Sequence, residues 1–339
     1  MRSLRASASY ASSGQRLKLL HYAAMSATLN AVYSRRWMRR RYEVWFLRLG
    51  LADGSGAWWF RYLRFNPGRR GCPSHPAGLP VQVWATWFPR NGAPQSFIQG
   101  FAQDGLSLSA RGATPFHFEV AGNHIDDNSC RGRLDVESHR IEWNLRWRST
   151  FGASVTEVGW IGFSRTPHSD AVFSGEISLD GQRWAGDPLG FGLQGHNCGF
   201  RHRHLWNWTH CLFQTDAGLS TFEALEYEIP FGRRTRRALL WHGGRLYRFA
   251  EFEELLRDRQ NLRWVFKCFR PEDDTSVLAW IDGSGASLHR LPYLKTDCSG
   301  AFEVSNNSLA RATLYFLRGS QTALTLSTDS GATLEMVGG

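Results

Sequence analysis

The chain has 339 residues, 42% of them hydrophobic, enough to bury a substantial core and to exclude wholesale disorder. Its net charge of +10 is concentrated at one end: residues 1–42 carry nine Arg and Lys and no acid, which leaves the rest at about +1. A nearly neutral body lacks the basic face that nucleic-acid binding needs, and no apolar run has the length of a bilayer span.

Residues 1–40 read as a basic tail. LKLLHYAAMSATLNAVY can form an amphipathic helix, and the Arg- and Ser-rich, acid-free composition suits an organelle transit peptide as well as a poorly ordered tail. The expected location is the cytoplasm, with organelle import if the tail is a transit peptide. The tail also offers a peripheral membrane contact. Six cysteines (Cys72, Cys130, Cys198, Cys211, Cys268, Cys298) are widely spaced without CxxC, and read as reduced, mostly buried thiols.

After Arg41 the pattern is that of strands. RYEVWFLRL and AWWFRYLRF flank GLADGSG, whose Asp and Gly residues suit a tight reversal, so the pair reads as a hairpin. In RIEWNLRW, Ile141, Trp143, Leu145 and Trp147 alternate with polar residues, and PFHFEV repeats the alternation. Short strands with turn signals continue to the end. The exception is RFAEFEELLRDRQ (248–260), where Phe249, Phe252, Leu255 and Leu256 have helical spacing and predict a short helix. The fold class is therefore all-β, and the length suits two barrels or sandwiches. Gly and Pro are dense in GDPLGFGLQG (186–195), which predicts the join, with units at 41–190 and 191–339. No sequence repeat relates the halves. Fifteen Trp and 22 Phe suit an apolar ligand inside a barrel, and equally suit two filled cores.

The densest chemistry lies in GHNCGFRHRHLWNWTHC (195–211). Read as a strand, LWNWTHCL puts His204, Trp206, Trp208 and His210 on one face and Leu205, Asn207, Thr209 and Cys211 on the other. His202 and His204, with His196, Cys198 and His210, could offer metal ligands. No standard spacing matches and no acid lies between 188 and 215, so no metal is expected. Acid/base chemistry among indoles is the second reading, and histidines tied to backbone groups the third. In the next strand, TFEALEYEI, Glu223, Leu225 and Tyr227 share a face, and a carboxyl in an apolar pocket can serve as an acid. Dinucleotide, phosphate-loop, zincin and esterase motifs are missing, and no cofactor is expected.

RRRYEVWFL, AWWFRYLRFNP, FSGEISLDG, GLQGHNCG and GAFEVSNNSLARATLYF, in that order over residues 40–339, resemble the double-lipocalin superfamily of carotenoid 1,2-hydratases, tocopherol cyclases and lipocalin-like Diels–Alderases. The resemblance implies two lipocalin-like antiparallel β-barrels packed together. It also implies cofactor-independent hydratase, cyclase or isomerase chemistry on a hydrophobic isoprenoid or polyene. The family motif His-Asn-Trp-Gly is matched at His196, Asn197 and Gly199, with Cys198 replacing the tryptophan. The expected machinery is then His196 or Glu223 as proton donor and His210 as relay. Trp206, Trp208, Asn197, Cys198 and Tyr227 would hold the substrate. The alternative is a non-catalytic carrier of a hydrophobic small molecule.

Overall fold

The computed structural model describes residues 26–35, 38–69, 71–72, 78–158, 161–200, 205–229 and 233–337. Twelve strands form the first sheet. They are β1 (Arg41–Leu51), β2 (Gly56–Phe65), β3 (Val81–Pro89), β4 (Gln95–Phe101), β5 (Leu106–Leu108), β6 (His117–Val120), β7 (Asn123–Asp126), β8 (Ser129–Val136), β9 (His139–Arg148), β10 (Ala153–Val158), β11 (Gly162–Leu179) and β12 (Gln182–Phe200). Ten form the second: β13 (Trp206–Thr215), β14 (Gly218–Ile229), β15 (Arg233–His242), β16 (Arg245–Phe249), β17 (Glu251–Asp258), β18 (Arg263–Arg270), β19 (Thr275–Asp282), β20 (His289–Leu294), β21 (Ala301–Arg318) and β22 (Gln321–Val337).

Both sheets are antiparallel and curl into lipocalin-like barrels with one topology. The first strand of each lobe pairs with its last, β1 with β12 and β13 with β22, and a short strand branches off the penultimate one, β10 on β11 and β20 on β21. An internal repeat with no sequence counterpart thus underlies the fold. Closure in the second lobe is covalent in origin. Its edge strands β16 and β17 are consecutive, joined through Ala250, so the chain itself brings the two edges together.

The GLADGSG reversal is observed, with Gly54 at φ 72°. It joins β1 to β2, two strands buried on both faces. The even face of β1 (Val44, Phe46, Arg48) turns toward the second lobe, and the odd face (Trp45, Leu47, Leu49) fills the first. On β2, Trp58, Phe60 and Tyr62 point into the first lobe, and Trp59, Leu63 and Phe65 join the cluster between the lobes. Double burial explains why apolar residues occupy both faces of these strands, with Glu43, Arg48, Arg61 and Arg64 buried among them.

Four expectations need correction. Residues 248–260 are not a helix: they hold the end of β16 and all of β17. A bulge between Glu254 and Leu256 shifts the strand's phase, so the apolar spacing imitates a helical one. The glycine-rich stretch 186–195 is not a linker but the body of β12. A Cβ on Gly192 would fall 1.7 Å from the Arg48 carbonyl oxygen, and one on Gly190 2.1 Å from that of Gly50, so these glycines allow close strand approach. The strands change sheet between Phe200 and Trp206 instead.

The tail is part of the first lobe from Ser26 onward. Residues 26–30 are helical, Val32 enters the core, and the Asn30 and Gln194 amides pair reciprocally at 3.1 and 2.9 Å. Finally, Cys72 and Cys298 form a disulfide that staples the lobes together. Pairing depends on spatial approach across 226 positions, which spacing along the chain does not reveal. Cys130, Cys198, Cys211 and Cys268 are free and buried.

Candidate functional site

Between the lobes lies a hollow of about 130 Å³. The first lobe contributes Tyr42, Val44 and Phe46 from β1, Trp59 and Arg61 from β2, Thr156 and Val158 from β10, and Asn197 from β12. The second contributes Trp206 and Trp208 from β13, Leu225 and Tyr227 from β14, Tyr293 from β20 and Glu335 from β22. Strand alternation aims them: Trp206, Trp208 and His210 share the inter-lobe face of β13, while Asn207, Thr209 and Cys211 turn into the second lobe. Trp208 meets Phe46 edge-on at 5.8 Å, and the Tyr227 hydroxyl lies 2.9 Å from Thr156 Oγ1.

The residues singled out from sequence separate into three places. Trp206, Trp208, Asn197 and Tyr227 line the hollow, and Cys198 borders it. The Cys198 side chain shares a face with Glu43, where burial pushes its thiol pKa well up. His196 lies on that same face, turned away from the hollow and into the first lobe. It stacks on Trp45 at 4.6 Å, donates from Nδ1 to the Leu29 carbonyl at 2.8 Å, and sets Nε2 3.1 Å from Glu43 Oε1. Burial pushes the Glu43 carboxyl up. The hydrogen bond and charge of His196, the Ser34 hydroxyl and the Tyr33 amide more than offset this and hold it below the ordinary range.

His210 and Glu223 pair across β13 and β14 on the inter-lobe face, beneath the hollow. His210 donates from Nε2 to the Ser169 carbonyl at 2.9 Å, and its Nδ1 has no partner among the described residues. Burial, helped by the charge of Arg48, pushes its pKa down to about 3, so the ring is neutral. Glu223 accepts from the Trp208 indole N–H at 2.8 Å and from the Thr166 hydroxyl at 2.7 and 2.9 Å. Burial raises its pKa to about 7, against the lowering effect of those two donors. Neither side chain is part of the wall of the hollow, although Trp208 links Glu223 to it. His202 and His204, considered as metal ligands, lie outside the described residues; among the described residues no three His, Cys, Asp or Glu gather as a metal site.

Sequence reading missed the polar end of the hollow. Glu335 is 7% exposed, accepts from the Trp206 indole N–H at 2.6 Å and from Asn306 at 3.4 Å, and is pushed up in pKa by burial. Near it Arg61 is 8% exposed, its guanidinium 4.5 Å from the Trp84 ring and 4.4 Å from the Tyr293 ring. Glu335 of β22 sits between Trp208 and Asn306 as Asn197 of β12 sits between Val44 and Ser164, so the topological repeat places a polar side chain on each side. The available signal was this repeat, and the sequence does not show it.

The fold and the inter-lobe hollow define a protein of the double lipocalin-like architecture. Among solved structures, CghA has a TM-score of 0.63 at 11% identity over 88% of each chain. CghA with Sch210972 has a TM-score of 0.59 at 10% identity, again over 88% of each chain. An AttH-like protein from Nitrosomonas europaea aligns at TM-score 0.48 and 14% identity, over 89% of this chain and 94% of that one. No protein-family model matches the chain, and no curated protein matches it in sequence.

Proposed function

We propose that the inter-lobe hollow is the active site of a cofactor-independent hydratase, cyclase or isomerase acting on a hydrophobic isoprenoid or polyene by alkene protonation. The observation that carries this reading is a buried carboxyl with a raised pKa, Glu335, set among indoles on the wall of the inter-lobe hollow. CghA, similar in fold, is solved with Sch210972, which supports small-molecule binding in this architecture.

In this reading Glu335 gives its Oε proton to one alkene carbon, and positive charge develops on the neighbouring carbon. The faces of Trp59, Trp206 and Trp208 stabilise that charge. Water or an internal nucleophile then adds, or a proton leaves, and the proton released returns to the Glu335 carboxylate. Glu223, behind Trp208, is the second candidate donor; His196 serves the first lobe's architecture.

The test is incubation of the purified protein with a panel of polyprenols and linear polyenes in D2O. Wild-type protein incorporates deuterium at carbon, and Glu335→Gln loses this while still binding the compound. Binding without exchange by wild-type protein rejects the enzyme reading and leaves a carrier.

A further inference from the structure

The wall of the hollow contains two buried hydrogen-bond donors with no acceptor among the described residues. Among the described residues Arg61 Nη1 and Trp59 Nε1 both lack a partner, in residues that are 8% and 6% exposed. They sit two positions apart on one face of β2, and both side chains line the space. A buried unmade hydrogen bond is unfavourable, more so for a charged group, so two at one site call for an acceptor.

Arg61 is also a buried cation without a salt bridge among the described residues. The rings of Trp84 and Tyr293, set at right angles to each other, both lie against its guanidinium and restrain where it points. Glu335 feels the Arg61 charge, but its oxygens accept from Trp206 and Asn306 and burial still pushes its carboxyl up, so it is a weak counterion that leaves Arg61 Nη1 without an acceptor among the described residues. A second, mostly apolar hollow lined by Leu63, Phe65, Trp84, Ile98 and Leu294 meets the first at Arg61 and Tyr293. The cation therefore stands at the junction of two greasy spaces, with Nη1 open to an acceptor brought by a ligand.

We infer that the ligand is an acidic lipid-like molecule whose carboxylate or enolate oxygen is held by Arg61 and Trp59, with its apolar chain in the aromatic hollow. This deepens the proposed function, on which it rests for the location of the site. It also removes an electrostatic conflict. A bare guanidinium opposes a cation forming nearby, whereas one paired with the ligand's own oxyanion does not.

The experiment is equilibrium binding of all-trans-retinoic acid and all-trans-retinol, read by quenching of tryptophan fluorescence, with wild-type, Arg61→Met and Arg61→Lys protein. The two probes share one polyene chain and differ in the oxygen group. Wild-type protein should bind the acid about tenfold to a hundredfold more tightly than the alcohol. Arg61→Met should erase that preference while retaining alcohol binding. Arg61→Lys keeps the charge but not the fork, and should keep a reduced preference, which leaves a readable variant if the methionine protein fails to fold. Equal binding of acid and alcohol by wild-type protein, or an undiminished preference in both variants, overturns the inference and leaves the active-site reading standing. Binding of neither probe by wild-type protein overturns both. Loss of deuterium exchange has no bearing on this binding readout.

Discussion

The Trp208 indole N–H donates to Glu223 Oε1 across 2.8 Å, and so ties a wall residue of the hollow to a carboxyl buried behind it. Burial raises the Glu223 pKa from 4.5 to about 7. The folded state therefore holds this proton more tightly than the unfolded chain does. The resulting stabilisation is fully present below pH 4.5 and is lost as pH rises through about 7, a change of about 3 kcal/mol. Glu223→Gln keeps acceptor and donor for Trp208 and Thr166 and cannot ionise. The difference in unfolding free energy between wild type and variant should shift in favour of the variant between pH 4.5 and 8, as measured by urea titration at each pH. A difference independent of pH would show that Glu223 ionises normally.

His196 and Glu43 form a second buried pair, both side chains fully shielded from solvent. Glu43 also accepts from the Tyr33 and Ser34 amides at 2.6 and 2.9 Å, and His196 holds the Leu29 carbonyl. The pair thus clips residues 29–34 to the first lobe. His196→Ala should destabilise the fold by about 3–5 kcal/mol and speed amide hydrogen exchange in this segment. Retinol binding in the inter-lobe hollow should be unchanged at temperatures where the variant is folded. Unaltered exchange at residues 29–34 would argue against the clip.

Arg48 crosses from β1 to the second lobe, where it donates to the Ser308 carbonyl at 2.7 and 3.2 Å and to the Ser330 carbonyl at 2.7 Å. Those carbonyls lie near shifts in the pairing of β21 and β22, where strand partners leave acceptors to be filled. Burial lowers the Arg48 pKa to about 10, so it remains charged at neutral pH. Arg48→Met has similar reach and no donors, and should cost about 2–4 kcal/mol in chemical denaturation. A loss below about 0.5 kcal/mol would show that water satisfies the carbonyls.

The Cys72–Cys298 bond leads to a direct mass measurement. Denatured, unreduced protein should take up alkylating reagent at the four free cysteines only, and at all six after reduction. Cys298→Ser should lower stability by about 2–4 kcal/mol. Six modified cysteines without reductant would show that the thiols are free.

Local pattern was enough for much of the fold. Alternation in Ile141–Trp147 and in Trp206–His210, and the Asp-Gly reversal after Leu51, specify strands and a hairpin because side-chain direction along a strand follows from neighbouring residues alone. The same parity correctly grouped Trp206, Trp208 and His210, and Glu223, Leu225 and Tyr227. It failed at residues 248–260, where a bulge broke the period, and at Gly190 and Gly192, where glycine serves close packing and not a linker.

Sequence by itself determined the strand content, the shared faces and the aromatic wealth of this protein. Tertiary structure alone decided which face meets which. His196 was drawn into the first lobe by Glu43, while Arg61, Tyr293 and Glu335, from three distant segments, were brought to one end of the hollow. The reason is that a strand's period fixes two faces without saying what lies against either. That is settled by long-range pairings, of β1 with β12, β13 with β22 and lobe with lobe, whose partners are far apart along the chain.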